Sequence, residues 1–350
     1  MKRRKFIQSS LIAGGVAATP VSLVAGTVTN TGCADTGKVN PALEGFELLG
    51  RLRAKSSDQI SGSYWGIQAG AYDEKTLSMA RALGVKWTRV LFGWGNVEKE
   101  KGSYDWSRAD ESVDALLRFG ITPFVTLTNG NPLYTGVGRY DDPTLAAIYG
   151  DSPAPPTDAA GHAGWLKFVD KAIRRYKDRV RYWEVWNEPN HRKYWGAPPD
   201  GKDYGDLVLI SVEKIRTLYP DAKIIAGSMA GISPDFTDEF LGHCDTQLID
   251  IISFHNYGTR PENRAYEMEA FKKVLDKYNT DFEIWQGECG MTSQSRTTGY
   301  RGVGPWGHNI QAKWLLRQSF VDTWFCQATL SNYFKLSDDK SPTPKPTKRN

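Results

Sequence analysis

Two glutamates carry the clearest chemical signal in this chain. Glu188 ends the run Trp183-Glu184-Val185-Trp186-Asn187-Glu188 and precedes Pro189 and Asn190. Proline lacks the ladder N–H and fixes φ, so it stops a strand. Glu188 is therefore expected at a strand's carboxyl end, where parallel α/β folds carry their reacting groups. Glu288 ends a similar run 100 residues later, Phe282-Glu283-Ile284-Trp285-Gln286-Gly287-Glu288. Two carboxylates on two strand ends of one barrel suit cleavage of a glycosidic bond. One protonates the leaving oxygen; the other attacks the sugar or activates water. The acid must keep its proton near neutral pH, which desolvation and a nearby carboxylate both favour.

Such a pair needs a framework of parallel strands. Short, mostly continuous apolar runs predict strands at Tyr64–Gln68, Trp87–Leu91, Thr122–Leu127, Tyr182–Trp186, Lys223–Gly227, Asp250–Phe254, Phe282–Gln286 and Thr329–Leu336. Helices are expected between them. Thr76–Leu83 stops before Gly84. A second opens at Ser107, with Asp110 three residues on in capping-box fashion, and ends before Gly120. The others are Gly164–Lys177, Tyr204–Leu218, Phe236–Cys244, Tyr266–Tyr278 and His308–Trp324. Ile310, Trp314, Val321 and Trp324 form one expected stripe on the last. Eight strands and seven intervening helices imply an α/β fold, a single-domain (β/α)8 TIM barrel over residues 62–336. The alternative, an open doubly wound sheet, lacks a glycine-rich phosphate loop after any strand. Pro342, Pro344 and Pro346 prevent a helix after the last strand, so the barrel is expected to lack its eighth outer helix. Residues 33–61 read as an N-terminal extension. Its segment Pro41–Ala54, with Phe46, Leu48, Leu49 and Leu52, is a candidate cover for part of that gap. Residues 337–350 read as a disordered tail. The long connection 128–162 carries Asn129, Asn131, Tyr134 and Tyr140 and is expected to hang over the top face and touch substrate.

Composition narrows the function class. The chain has 350 residues, 40% apolar and 24% charged, which fits a soluble globular protein. Of its net charge of +4, residues 1–32 supply +4 and residues 341–350 supply +3, leaving −3 for the body. A mildly acidic body has no electrostatic footprint for nucleic acid. Lys2 to Lys5, followed by an apolar Gly/Ala-rich stretch, read as an export signal, and Arg3-Arg4-Lys5-Phe6-Ile7 resembles the twin-arginine signature. Thr19 and Pro20 interrupt the stretch, against a membrane span. Export to the periplasm or the outside is expected, with no stable membrane insertion after signal removal. Cys33 after Gly32 is a weaker candidate for lipid anchoring. Cys244, Cys289 and Cys326 match no metal spacing and read as buried thiols.

Trp186-Asn187-Glu188-Pro189-Asn190 resembles the acid/base motif of the large (β/α)8 glycosidase clan, clan A. Within it the chain is most similar to glycoside hydrolase family 39, the β-xylosidase/α-L-iduronidase family, over roughly residues 62–336. Gly93-Trp94, Lys101-Gly102-Ser103-Tyr104-Asp105-Trp106, Phe254-His255-Asn256-Tyr257 and Trp285-Gln286-Gly287-Glu288 agree with it. The resemblance implies a retaining double displacement, with Glu188 as acid/base and Glu288 as nucleophile. It implies that Asn187 hydrogen-bonds the sugar 2-hydroxyl and that Arg89 lies beneath the nucleophile and keeps it ionised. It places Tyr257 as a donor to the nucleophile and His255 near the acid/base residue.

Glu184 is expected to be a buried structural carboxylate with a basic partner. Trp65, Trp94, Trp195 and Trp306 are candidates for sugar stacking or for core packing. The last strand carries Ser331-Asn332-Tyr333-Phe334-Lys335, with no tryptophan where many clan members have a sugar floor; Lys335 would suit an anionic sugar. His191 and His308 show no metal-ligand spacing, so no catalytic metal and no cofactor are expected. The expected partner is an oligo- or polysaccharide substrate. The competing function is a non-catalytic carbohydrate-binding barrel.

Overall fold

A computed structural model describes residues 59–60, 62–138, 140, 142–149, 152–258, 260–291 and 307–336. The compact unit Ala54–Asn350 holds all of them, and the unit Met1–Arg53 lies outside them. The expected export signal, Cys33, the segment 41–54, Trp306 and the tail 337–350 therefore also lie outside the described residues.

Eight parallel strands close into a barrel in chain order: β1 (Trp65–Ile67), β2 (Trp87–Gly93), β3 (Thr122–Thr128), β4 (Tyr182–Val185), β5 (Lys223–Ala230), β6 (Ile251–His255), β7 (Glu283–Cys289) and β8 (Leu330–Tyr333). β1 pairs with β8, from Trp65 opposite Ser331 to Ile67 opposite Tyr333, which removes both sheet edges. The helices are α1 (Glu74–Ala82), α2 (Ser107–Arg118), α3 (Ala159–Tyr176), α4 (Gly201–Leu218), α5 (Pro234–Leu241), α6 (Ala265–Tyr278) and α7 (His308–Phe320). This is the expected (β/α)8 barrel, and among the described residues no helix follows β8. No described helix is long and apolar enough to cross a membrane.

Local chemistry explains most element ends. The Asp73, Asp158 and Asp200 side chains accept backbone N–H groups at the starts of α1, α3 and α4. Gly84 and Gly120 follow α1 and α2 at φ of 80° and 68°. One cap differs from expectation. Ser107 is not the cap of α2: its N–H is taken by the Asp105 carboxylate, while Trp106 occupies the cap position. The α7 stripe also differs. Trp314 and Val321 are buried, but Ile310 is half exposed and Trp324 is 79% exposed. The chain turns into a wider π-type turn over Val321–Phe325, which rotates the last apolar residues off the helical stripe.

The long connection after β3 is not structureless. It holds short helical segments at Pro132–Thr135 and Pro143–Tyr149 and a bridge between Val137 and Pro153. The Tyr140 hydroxyl donates to the Arg192 carbonyl at 2.5 Å, tying the loop to the helical turn Arg192–Trp195.

Candidate active site

Two backbone departures build the site. β4 stops at Val185, earlier than the proline argument places it, and Trp186 and Glu188 take φ of 70° and 49°. Left-handed φ at bulky non-glycine residues is costly, and here packing holds it. Trp186 is fully buried against Trp165 and Trp195, and its indole N–H donates to the Tyr194 carbonyl. The Glu188 N–H donates to the Ser228 carbonyl at 2.9 Å. The second departure is a bulge in β5 between Gly227 and Met229, with φ of 93° at Gly227 and 48° at Ser228. A Cβ at Gly227 would lie 2.7 Å from the Ser253 carbonyl oxygen, so only glycine lets β5 approach β6 this closely.

The two glutamates meet. One ligand atom each from Glu188, His255 and Glu288 lies within 4.8 Å of the others. His255 Nδ1 is 2.9 Å from Glu188 Oε1, and its Nε2 is 3.0 Å from Ser228 Oγ. Arg89 Nη1 donates to Glu288 Oε2 at 2.7 Å, and the Tyr257 hydroxyl donates to Glu288 Oε1 at 2.5 Å. The same guanidinium donates from Nε and Nη2 to Glu184 Oε2 at 2.8 and 2.5 Å, and Thr126 Oγ1 adds a third donor to that oxygen. Glu184 is thus the structural carboxylate with a basic partner that was expected. It reaches the interior from within β4, whereas Glu188 projects from left-handed backbone beyond the strand.

The electrostatics follow from these contacts. Burial pushes the Glu188 carboxyl up. The hydrogen bond from His255 leads the opposing pulls, with His191 and Arg89 behind, and they prevail, so it lies below its ordinary value. The Tyr257 phenol is pushed far up by burial and by the Glu288 charge, so it stays a donor. Burial opposes the charge of Arg89, but Glu184 and Glu288 outweigh it. Glu188, His255 and Glu288 are close enough to hold a cation. In this structure both nitrogens of His255 and both oxygens of Glu288 are already engaged in hydrogen bonds.

A cleft of about 740 Å³ opens over the pair, lined among others by Asn190, His191, Lys193, Tyr194, Ile232, Tyr257, Arg264 and Phe334. Its walls come from the β4, β5 and β6 loops and the end of β8. Among the described residues, none of the connection 128–162 lines the cleft, contrary to the expected lid. Glu98 is the reason. Its carboxylate accepts from the Trp94 indole (2.6 Å), the Tyr134 hydroxyl (2.6 Å) and the Gly102 N–H (2.7 Å), while Asn131 donates to its carbonyl. Trp94 is fully buried and stacks on Tyr134. Trp94, Asn131 and Tyr134 are therefore packing groups and do not face the cleft. Asn129 is exposed at the end of β3 beside Gly93, outside the lining. Trp65 opens β1 at the opposite end of the barrel, and Trp195 is buried against Trp186 and Tyr204. Asn187 is half-buried next to Glu188, and its Oδ1 has no hydrogen-bond partner among the described residues.

Sequence reasoning missed Ser228, Phe334 and Tyr194. Phe334, 38% exposed, supplies an aromatic surface at the end of β8 where a tryptophan was sought, and Lys335 lies with its Nζ 5.4 Å from that ring. Aromatic type at the strand's end was the available signal for Phe334. No local signal marks Ser228, because its place depends on a bulge.

A family model for glycosyl hydrolases family 39 matches residues 70–280, a stretch that includes Glu188 and ends before β7 and Glu288. A β-xylosidase from Geobacillus stearothermophilus is 25% identical over 197 residues, covering 51% of this chain and 37% of that protein. An aryl-phospho-beta-D-glucosidase from Bacillus subtilis (strain 168) is 26% identical over 125 residues, covering 34% of this chain and 23% of its own length. The matched stretches thus span well under two thirds of these curated relatives. Among solved structures, a family 39 glycoside hydrolase from Bacteroides cellulosilyticus WH2 aligns with TM-score 0.59 and 20% identity, covering 78% of this chain and 56% of that one. A family 39 β-xylosidase from Caulobacter crescentus aligns with TM-score 0.59 and 18% identity, covering 83% and 66%.

Proposed function

Because this chain belongs to glycosyl hydrolases family 39, we propose that it cleaves O-glycosidic bonds with retention of configuration, by double displacement on an oligo- or polysaccharide substrate. The observation that carries this reading is the approach of Glu188 and Glu288 to within 4.8 Å, ligand atom to ligand atom. Carboxyl groups of retaining pairs stand about 5–5.5 Å apart and those of inverting pairs about 6.5–9.5 Å, with room for a water; so close an approach of single atoms supports the retaining class. Glu288 attacks the anomeric carbon while its two oxygens stay registered by Arg89 and Tyr257. Glu188 protonates the departing oxygen, and in the second step it takes a proton from the water that releases the sugar. Asn187, next to Glu188 in the chain, would take the sugar 2-hydroxyl, with its Oδ1 without a hydrogen-bond partner among the described residues.

A panel of chromogenic xylosides, glucosides, galactosides and uronides tests the reading, with proton NMR of the first-formed anomer. The relatives' names put β-xylosides and β-glucosides first. Retention is expected. Glu288→Gln should lose on the order of 10⁴-fold or more in turnover. Glu188→Ala should keep far more activity on activated leaving groups, which need little protonation. Inversion, or full activity in either variant, would sink the assignment. A chain that binds glycans yet turns over none of the panel would instead be the non-catalytic carbohydrate-binding barrel.

A further inference from the structure

We propose that Ser228 is a positioning residue that fixes His255 as its Nδ1–H tautomer and so holds the free oxygen of Glu188 available for the substrate. The proposal rests on Glu188 acting as acid/base, but the tautomer is a property of the protein alone. Ser228 and His255 are both fully buried. Among the described residues the hydrogen-bond partners of Ser228 Oγ are Arg89 Nη2 at 2.8 Å and His255 Nε2 at 3.0 Å. A guanidinium can only donate, so Ser228 accepts from Arg89. The serine hydrogen then has one place to go. If His255 Nε2 also donated, that hydrogen would be buried without a partner, which is costly. Ser228 therefore donates to Nε2, and the ring proton resides on Nδ1. There it meets Glu188 Oε1 at 2.9 Å.

The direction of this chain has a chemical consequence. It runs from the fixed charge of Arg89 through Ser228 and His255 to Glu188, and every donor points the same way. With Nδ1 already protonated, His255 cannot accept the catalytic proton of Glu188. When Glu188 carries that proton, it sits on Oε2, the oxygen not bonded to the ring. The β5 bulge that delivers Ser228 also presents its carbonyl to the Glu188 N–H at 2.9 Å, so one residue sets both the backbone and the protonation geometry of the acid. The charged and titratable groups around Glu188 are His255 on β6, His191 after β4, Arg89 on β2 and Glu288 on β7.

The direct test is ¹⁵N NMR of the full chain labelled at histidine ring nitrogens. It has five histidines, and His255→Gln identifies the signal by its loss. Expected in the wild type at mildly basic pH are a protonated Nδ1 and an unprotonated Nε2. A proton on Nε2, or on both nitrogens, overturns the proposal without reference to activity and without any serine variant. The second test compares Ser228→Ala with wild type on phenyl and 2,4-dinitrophenyl glycosides of the sugar identified by the panel. The expected loss is about 10-fold on the phenyl glycoside, with little change on the dinitrophenyl one. Equal losses on both, or none, would show a merely structural serine. If the wild type turns over no glycoside, the hydrolase reading falls, while the spectrum still decides the tautomer.

Discussion

Glu188 carries opposed influences that its substrate will rebalance. In the free site the His255 contact outweighs burial, so the carboxyl loses its proton below the usual carboxylate range. Activity requires that proton, so kcat/KM, which reports the free enzyme, should fall as pH rises through this low value. A bound sugar strips water from Glu188 without adding a cation, and desolvation raises the carboxyl. The basic limb of kcat, which reports the complex, is therefore expected at higher pH than the basic limb of kcat/KM. Rate profiles over about pH 3–8 check this. Coincident limbs, or a kcat limb on the acid side, would contradict desolvation of Glu188 by the bound sugar.

At the scale of elements, the site depends on where β4 and β5 stop being regular. β4 yields early and carries Glu188 on left-handed backbone; β5 bulges at Gly227 and turns Ser228 inward. Gly227→Ala is expected to destabilise the protein by roughly 2 kcal/mol, since alanine meets both a positive φ and the Ser253 carbonyl. It should also cut turnover in the folded fraction, because Ser228 and the Glu188 N–H partner move with the bulge. Thermal denaturation and kinetics on the same samples measure both. An unchanged melting temperature would refute the close-approach argument. The connection after β3 gives the opposite lesson. Tyr134 and Asn131 are spent on Glu98, so that part of the connection buttresses the barrel wall and leaves the cleft to the β4, β5 and β6 loops and the end of β8.

The described residues form a closed barrel whose stability also titrates. Asp322 is fully buried beneath β8, bonded by Gln318 and Ser331, and burial pushes its carboxyl up to about 7 from 3.8. The native state keeps a proton that the unfolded chain releases near pH 4. This contribution is complete below that pH and is lost as pH rises toward about 7. Its size is on the order of 4 kcal/mol. Asp322→Asn should flatten the fall in unfolding free energy between about pH 4 and 7, read from denaturant titrations across that range. An identical slope in the variant would exclude Asp322 as its source. On the same side of the fold, Leu316, Phe320, Trp324 and Phe325 of α7 and its π-type turn are about half exposed or more, and among the described residues no helix after β8 covers them.

The sequence by itself determined the barrel, its eight strands to within three residues at each end, and the two glutamates. Those features are local: apolar runs of strand length, helical spacing, glycines past helix ends, and acids at the ends of strands. It also pointed to Arg89, His255 and Tyr257 through the family resemblance, and the structure brings all three onto the glutamates. What only the tertiary structure decided were the roles of side chains whose type fits two jobs. Trp94, Asn131 and Tyr134 looked like sugar contacts and proved to be packing around Glu98, because an aromatic or amide group serves either end equally well and the outcome rests on which neighbour reaches it first. Ser228 was invisible for the converse reason: a serine gains chemical meaning only when a one-residue bulge places it between an arginine and a histidine that lie 166 residues apart.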